Sequence, residues 1–223
     1  RYSHAGVALR ASGHAPWAVR QLYYDCDEGR PRLFDQGLSG FVLGLAEPER
    51  GHVALLLLPA EAAAALERRA HDDALALALL GSTYSANAHA FGLRYQNCNQ
   101  WLVELLAAAW APGGADSRAA AQDWLRAQGY RPTRFELAWR PWLWFALASP
   151  WLHIDDHPAT DVEAGVLQVS MPDSITAFAQ AQWPAAQRLE FCRAGTRVVL
   201  RRDGAALDAD CTPGPGDRVV ALE

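Results

Sequence analysis

The sequence predicts a single α+β domain, with residues 1–112 as a core and residues 113–223 as a C-terminal elaboration. Its 223 residues are 51% hydrophobic, and strand-like and helix-like segments both occur along the chain. Because only 20% of the residues are charged, a disordered tail and a coiled coil are excluded. The net charge of −5 offers no basic field to nucleic acid or anionic lipid, so we expect no nucleic-acid partner.

Strands are predicted near the start of the chain. Residues 3–9 and 17–24 are rich in β-branched and aromatic residues, and a turn at residues 12–16 joins them. A turn-rich stretch follows and holds a possible short strand at residues 40–45. The apolar run 52–58 has the length of a strand that is covered on both faces.

Helices are predicted next. Pro59 opens an alanine-rich helix that ends near residue 70, and a second helix runs from residue 71 to about residue 81. After a polar loop, a helix over residues 97–111 is stopped by Pro112 and two glycines. The C-terminal part is expected to contain a helix at 117–128, a strand at 165–170, a helix at 173–182 and further strands.

The four cysteines are Cys26, Cys98, Cys192 and Cys211. They form no C-x-x-C pair, so we expect no structural zinc site. The sequence has no Walker loop and no G-x-G-x-x-G, and we expect no cofactor and no other metal. Cys192 and Cys211 flank a predicted hairpin whose turn is signalled by Asp203-Gly204. Such positions can lie within disulfide reach, at about 5.5–6 Å between Cα atoms. The alternative is that both are small buried hydrophobic residues.

The cellular location is inferred from the cysteines and the first residue. A disulfide suits an oxidising compartment, which favours a periplasmic or secreted protein. The chain starts at Arg1, and we interpret this as removal of a signal peptide in preference to a tag or a truncation. The longest apolar runs, 53–59 and 142–152, are well short of the roughly 20 residues that cross a bilayer, so no integral membrane segment is expected. The oligomeric state is not predicted.

The sharpest local feature is the stretch Y-Q-N-C-N-Q-W at residues 95–101, which places Cys98 in the first turn of a helix. Unpaired backbone N–H groups and the helix dipole stabilise a thiolate there. The neighbouring amide side chains either donate to an oxyanion or fix the loop; they are Gln96, Asn97 and Asn99. Two other interpretations are a buried cysteine with capping amides and a bridge between Cys98 and Cys26.

A cysteine nucleophile needs a base, and His4 is the candidate. It opens the first predicted strand, and Gly6 would let a helix approach the sheet closely at that point. Taken alone, His4 also fits a histidine on the N-terminal surface.

The order of these two motifs resembles the circularly permuted papain-like proteins of the NlpC type. In that group, which includes the lecithin:retinol acyltransferase relatives, a strand of the form S-H-x-G-hydrophobic precedes the cysteine helix. The Y-Q-N-C-N-Q-W stretch is also similar to a bacterial family of uncharacterised exported proteins, catalogued as a domain of unknown function. The resemblance covers about residues 3–110 and implies an antiparallel sheet packed on the cysteine-bearing helix.

Applied to this chain, the resemblance implies that Cys98 is the nucleophile and His4 the general base. The orienting residue of such folds lies across from the histidine, which gives Gln21, with Tyr23 one alternate position further. Many relatives have histidine or glutamate at this point, and this chain has neither. The implied activity is a thiol hydrolase or acyltransferase acting on an amide or peptide bond, as in peptidoglycan, or on a lipid ester. The alternative is a non-catalytic binding or structural protein of the envelope.

Two other features are weighed against simpler interpretations. The histidines of H-I-D-D-H at residues 153–157 could bind a metal on a helix, but Pro150 and Pro158 favour a hydrogen-bonded loop. A group of tryptophans is expected to be core and, less readily, an apolar wall for a substrate; it comprises Trp139, Trp142, Trp144 and Trp151.

Overall fold

A computed structural model describes residues 2–13, 15–43, 49–137 and 149–222. The strands are β1 (Val7–Ala11), β2 (Pro16–Asp25), β3 (Arg30–Gly37), β4 (Arg50–Leu57), β5 (Thr133–Glu136), β6 (Val166–Val169), β7 (Gln187–Ala194), β8 (Arg197–Arg202) and β9 (Arg218–Ala221). The helices are α1 (Leu38–Leu43), α2 (Ala60–Ala70), α3 (Asp73–Ala78), α4 (Cys98–Trp110), α5 (Arg118–Ala127), α6 (Ala159–Ala164) and α7 (Pro172–Gln182). The predicted α+β class is confirmed. Within the described ranges, none of the helices has the length and apolar character needed to cross a membrane.

The strands form antiparallel sheets of order β1-β2-β3, β4-β7-β8-β9 and β5-β6. Two predictions near the N-terminus are wrong. His4 does not open a strand, because β1 begins three residues later, at Val7. Residues 40–45 do not begin a strand either, since α1 extends through Leu43. Strands β3 and β5 were not predicted; in β3, Pro31 is tolerated because that strand is at the edge of its sheet.

Helix α4 lies in the main hydrophobic cluster. It starts at Cys98 because Asn97 caps it, its Oδ1 accepting a hydrogen bond from the Gln100 N–H at 2.6 Å. Trp101 is fully buried and donates its indole N–H to a backbone carbonyl of α3. The cluster also takes in Leu22 of β2 and Phe178 of α7, so both sides of residue 112 contribute to it. The division of the chain at that residue stays a prediction.

The second sheet joins β4 to the C-terminal strands. Most residues of β4 are half-buried, so the expected covering on both faces is not found. The predicted disulfide between Cys192 and Cys211 is confirmed, with 5.5 Å between the Cα atoms. The hairpin turn was misplaced, however: β7 and β8 are joined at Gly195, whereas Asp203-Gly204 follows β8. Cys211 therefore lies in the loop between β8 and β9.

The structure describes one of the four tryptophans that were expected to form a core cluster. Trp139, Trp142 and Trp144 lie outside the described residues. Trp151 is 45% exposed and lies near the ring of Tyr24, so it is not a core residue.

Candidate functional site

The Cys98 thiol lies at the N-terminal end of α4 and is free and buried. Hydrogen bonding from the backbone N–H groups of Asn99 and Cys98 and from the Tyr84 hydroxyl acts to lower its pKa. Burial has the larger effect and raises the pKa of Cys98 to about 11. The helix terminus therefore acts on the sulfur in the expected direction, but the resting form at neutral pH is the thiol. Cys26 is free and exposed, so the alternative of a Cys26–Cys98 bridge is wrong.

A hydrogen-bonded chain of side chains orients His4. Its Nε2 lies 2.5 Å from Gln21 Oε1, and Gln21 donates its own amide N–H to Gln36 Oε1 at 2.8 Å. Because the Gln21 amide nitrogen donates to Gln36, the Gln21 oxygen must face the imidazole. This oxygen can only accept a hydrogen bond, so we assign the ring proton to Nε2 of His4. Nδ1 is then the proton acceptor of the ring. Burial lowers the pKa of His4 although the Gln21 bond opposes this, so the ring is neutral at pH 7.

Gly6 brings the His4 segment close to β2. A Cβ atom on Gly6 would lie 2.6 Å from Val19 Cγ1 and 2.9 Å from the Arg20 carbonyl oxygen. The small residue is therefore needed for packing against β2, and the expectation that it admits a helix stays a prediction. The same packing places the His4 ring 5.0 Å from the ring of Tyr23, measured between centroids.

The His4 segment is also tied to α4. Asn99 donates its side-chain N–H to the Ser3 carbonyl oxygen at 3.1 Å, which links the residue before His4 to the residue after Cys98. Among the described residues, no hydrogen bond joins the Cys98 thiol directly to the His4 ring. Catalytic contacts are often long in structures without substrate, and they tighten only when substrate binds.

The candidate oxyanion amides have structural partners. Both N–H bonds of the Gln96 amide are used, by a backbone carbonyl and by Glu104. The amide group of Asn97 donates to two backbone carbonyls. These two side chains therefore fix the loop, which leaves the backbone N–H groups at the start of α4 as the donors near the sulfur.

Sequence reasoning missed a buried ionic cluster behind Cys98. Glu104 is fully buried, and its carboxylate accepts hydrogen bonds from Arg118 Nε at 2.9 Å, from Gln96 at 2.6 Å and from Gln122 at 2.7 Å. Burial raises the pKa of Glu104, while Arg118 and the amides oppose that shift. Because all three partner groups can only donate, we assign the ionised form. The available signal was that Glu104 is the one charged residue in the sequence of α4.

The cluster holds the loop that leads to Cys98. Arg118 donates to the backbone carbonyl oxygens of Gly92, Leu93 and Tyr95 over 2.8–3.0 Å. Gln122 donates to the Gly92 oxygen at 3.0 Å. The position of the α4 terminus thus depends on groups two turns away along the helix and on α5.

Residues 153–157 form a loop, as the flanking prolines predicted. His153 stacks on Tyr95 with 4.3 Å between ring centroids. The Nε2 atom of His157 lies 2.8 Å from the backbone oxygen of Asn87. The two histidines thus serve different contacts and do not share a helical face.

Comparison with known proteins gives one family. A family profile, described as an uncharacterized protein conserved in bacteria (DUF2145), matches residues 1–179. No curated protein and no solved structure matches the chain. The match includes His4, Gln21 and Cys98, and it ends before β7.

Proposed function

We propose that this chain, which belongs to the bacterial family DUF2145, is a cysteine hydrolase or acyltransferase on a permuted papain-like core. Cys98 is the nucleophile, His4 the general base and Gln21 the residue that orients the base. The proposal is carried by the hydrogen-bonded chain from Gln36 through Gln21 to His4, which presents a neutral imidazole. A histidine that only covered the surface would not need a fixed amide behind it.

The proposed reaction starts from the thiol. As the Cys98 sulfur attacks a carbonyl carbon, its proton passes to Nδ1 of His4, and the Gln21 oxygen stabilises the charge on the ring through Nε2–H. Backbone N–H groups at the start of α4 support the oxyanion. The amine or alcohol then leaves with the proton from His4. Water or an acceptor hydroxyl or amine finally releases the acyl group from the Cys98 thioester.

This sequence of steps is compatible with the raised pKa of Cys98. A thiolate that exists before substrate binds is not required, because proton transfer accompanies attack. Tyr23, whose side chain is 52% exposed beside the His4 ring, would line the approach of a substrate. The proposed substrate class is an amide or peptide bond, including those of peptidoglycan, with a small or lipid ester as the alternative.

The disulfide supports the proposed location outside the cytosol. Cys192–Cys211 is compatible with a periplasmic or secreted protein, because such bonds persist in oxidising compartments.

The test is acylation of Cys98 by a p-nitrophenyl ester. The reaction is measured by the absorbance of the released p-nitrophenolate and by the mass of the intact protein. The Cys26→Ser variant is the background, since the exposed Cys26 thiol would otherwise react. We expect an acyl adduct on Cys98 that Cys98→Ser abolishes. His4→Ala should slow its formation by at least about 100-fold, which is the usual contribution of a general base.

His71→Ala is the matched control, because His71 is exposed at the end of α2. It should leave the acylation rate unchanged. Equal acylation rates in the His4→Ala and His71→Ala proteins would contradict the assigned base.

A second candidate is a non-catalytic envelope protein that retains the same scaffold. The buried thiol with a pKa of about 11 and its bond to Tyr84 favour it. A folded Cys26→Ser protein that forms no Cys98 adduct with any amide, peptide or ester probe would establish this alternative over the enzyme.

A further inference from the structure

A second group of sulfur and nitrogen atoms lies in the sheet that contains β4 and β7. His52 of β4 is directly opposite Cys192 of β7, and its Nε2 is 3.3 Å from Cys192 Sγ. Cys211 is joined to Cys192 by the disulfide. One donor atom from each of the three residues lies within 4.8 Å of the other two. Two cysteine sulfurs and an imidazole nitrogen are a common ligand set for Zn²⁺.

The loop that carries Cys211 is held by its own hydrogen bonds. Asp208 Oδ1 accepts from the backbone N–H groups of Asp210 at 3.1 Å and Thr212 at 2.8 Å. The Cys211 N–H donates to the Asp208 carbonyl oxygen at 3.3 Å. These bonds do not involve sulfur, so both sulfurs should stay close together when the disulfide is broken.

A carboxylate stands behind His52. Glu190 is fully buried, and its Oε1 lies 3.6 Å from His52 Nδ1. Tyr2 donates its hydroxyl to Glu190 Oε1 at 2.5 Å, and the Leu207 N–H donates to Oε2 at 3.0 Å. A carboxylate on one histidine nitrogen directs the other nitrogen to a metal, which is the usual outer arrangement of zinc ligands.

We propose that the reduced form of this cluster binds a divalent cation of the zinc class through Cys192, Cys211 and His52. A dithiol supplies two electrons and two protons, becomes a disulfide, and leaves two protein thiols. The cation then binds both sulfurs and displaces their protons to solvent. The disulfide and the bound metal exclude each other: when an external disulfide takes two electrons from the two thiolates and leaves as two thiols, the Cys192–Cys211 bond forms and the ion is released.

The test uses the folded Cys26→Ser protein, reduced with dithiothreitol and freed of it by anaerobic gel filtration. Titration with Co²⁺, a spectroscopic substitute for Zn²⁺, should produce a thiolate-to-metal absorption band at one ion per chain. We expect release of about two protons for each ion. Zn²⁺ should remove the band, and the oxidised protein should not show it.

Variants identify the ligands. Cys211→Ser should abolish the band, and His52→Ala should weaken Co²⁺ binding by at least about tenfold, a loss seen even for outer partners of a metal. His71→Ala and Cys98→Ser should leave the titration unchanged, which separates this site from the proposed nucleophile. Absence of the band in reduced protein, or equal affinity in His52→Ala, would overturn the proposal. So would a reduced protein that unfolds and that Zn²⁺ does not refold.

Discussion

A cysteine and a histidine occur together in two parts of the molecule, and the two histidines differ in which ring nitrogen faces a third polar group. His4 is held at Nε2 by the Gln21 amide, which leaves Nδ1 as the acceptor. His52 faces Glu190 with Nδ1 and presents Nε2 to Cys192. The neutral amide orients the His4 ring but stabilises its protonated form less than a carboxylate would. A buried carboxylate suits a ring that is fixed as a ligand.

The sulfur atoms of Cys98 and Cys192 also differ in their bonding state. Cys98 is a free thiol beside backbone donors, within the part of the chain that the family profile covers. Cys192 is bonded to Cys211 and lies beyond that part. Residue type alone therefore does not fix the chemistry of a cysteine and a histidine, since the neighbouring polar group decides which ring nitrogen remains available.

The two regions are also stabilised by different means, and the largest expected effect is on the ionic cluster behind Cys98. Glu104→Ala leaves the Arg118 guanidinium buried without its carboxylate and should lower the free energy of unfolding by about 3–5 kcal/mol. Urea denaturation measures the loss. Glu61→Ala, at an exposed carboxylate of α2, should change stability by less than about 0.5 kcal/mol. Similar losses in both variants would show that the cluster does not hold α4.

The second region depends on its covalent bond. The double variant Cys192→Ala, Cys211→Ala removes a cross-link between residues 19 positions apart. It should lower the free energy of unfolding by about 3 kcal/mol, from the entropy that the bond removes from the unfolded chain. Acylation of Cys98 should be unchanged at temperatures where the variant is folded. Loss of acylation in the folded variant would show that the two regions are coupled.

The sequence predicted the local elements better than the contacts between them. The helix at Cys98 was predicted because the Asn97 cap and the Pro112 stop are encoded within a few residues. Strand β3 was missed because Pro31 and its charged neighbours hide an edge strand that gains its stability from β2. The disulfide was predicted correctly with the wrong turn, since Gly195 and Asp203-Gly204 are both adequate turn signals.

The contacts of the candidate site were also predicted only in part. The resemblance implied that Gln21 lies across from His4, and the structure contains that hydrogen bond although His4 precedes β1. The Glu104–Arg118 cluster and the contact of His52 with Cys192 join residues 14 and 140 positions apart. Such contacts depend on how helices and sheets pack, so no spacing along the chain signals them.

Substitutions at Gln21 test how the neighbouring polar group sets the pKa of His4. Gln21→Leu removes the hydrogen bond that raises the pKa of His4, so that pKa should fall further below its ordinary value of 6.5. Gln21→Glu places a carboxylate beside the ring, as at His52, and should raise the pKa. The proposed base works when neutral, so the acid limb of the acylation rate should move to lower pH in the first variant and to higher pH in the second.

The size of the effect separates orientation from folding. Gln21→Leu should slow acylation by about tenfold to 100-fold at pH 8, where His4 is neutral in either protein, because the ring is no longer oriented.

The lowered pKa of His4 should also make the stability of the wild-type fold depend on pH. Its contribution is fully present above pH 6.5 and is lost as the pH falls through the pKa of the folded state. An acid limb that stays at the same pH in both Gln21 variants would exclude His4 as the titrating group.

The smallest expected effect concerns the thiol itself. The Tyr84 hydroxyl bond lowers the pKa of Cys98, so Tyr84→Phe should raise that pKa further above about 11. The measurement is iodoacetamide labelling of Cys98 between pH 7 and 10 in the Cys26→Ser background, read by mass. Tyr84→Phe should slow labelling at each pH, since less thiolate is present. Tyr24→Phe is the matched control, because the Tyr24 ring packs 5.2 Å from that of Tyr84. Slower labelling in both variants would assign the effect to packing, whereas slower labelling in Tyr84→Phe alone assigns it to the hydroxyl bond.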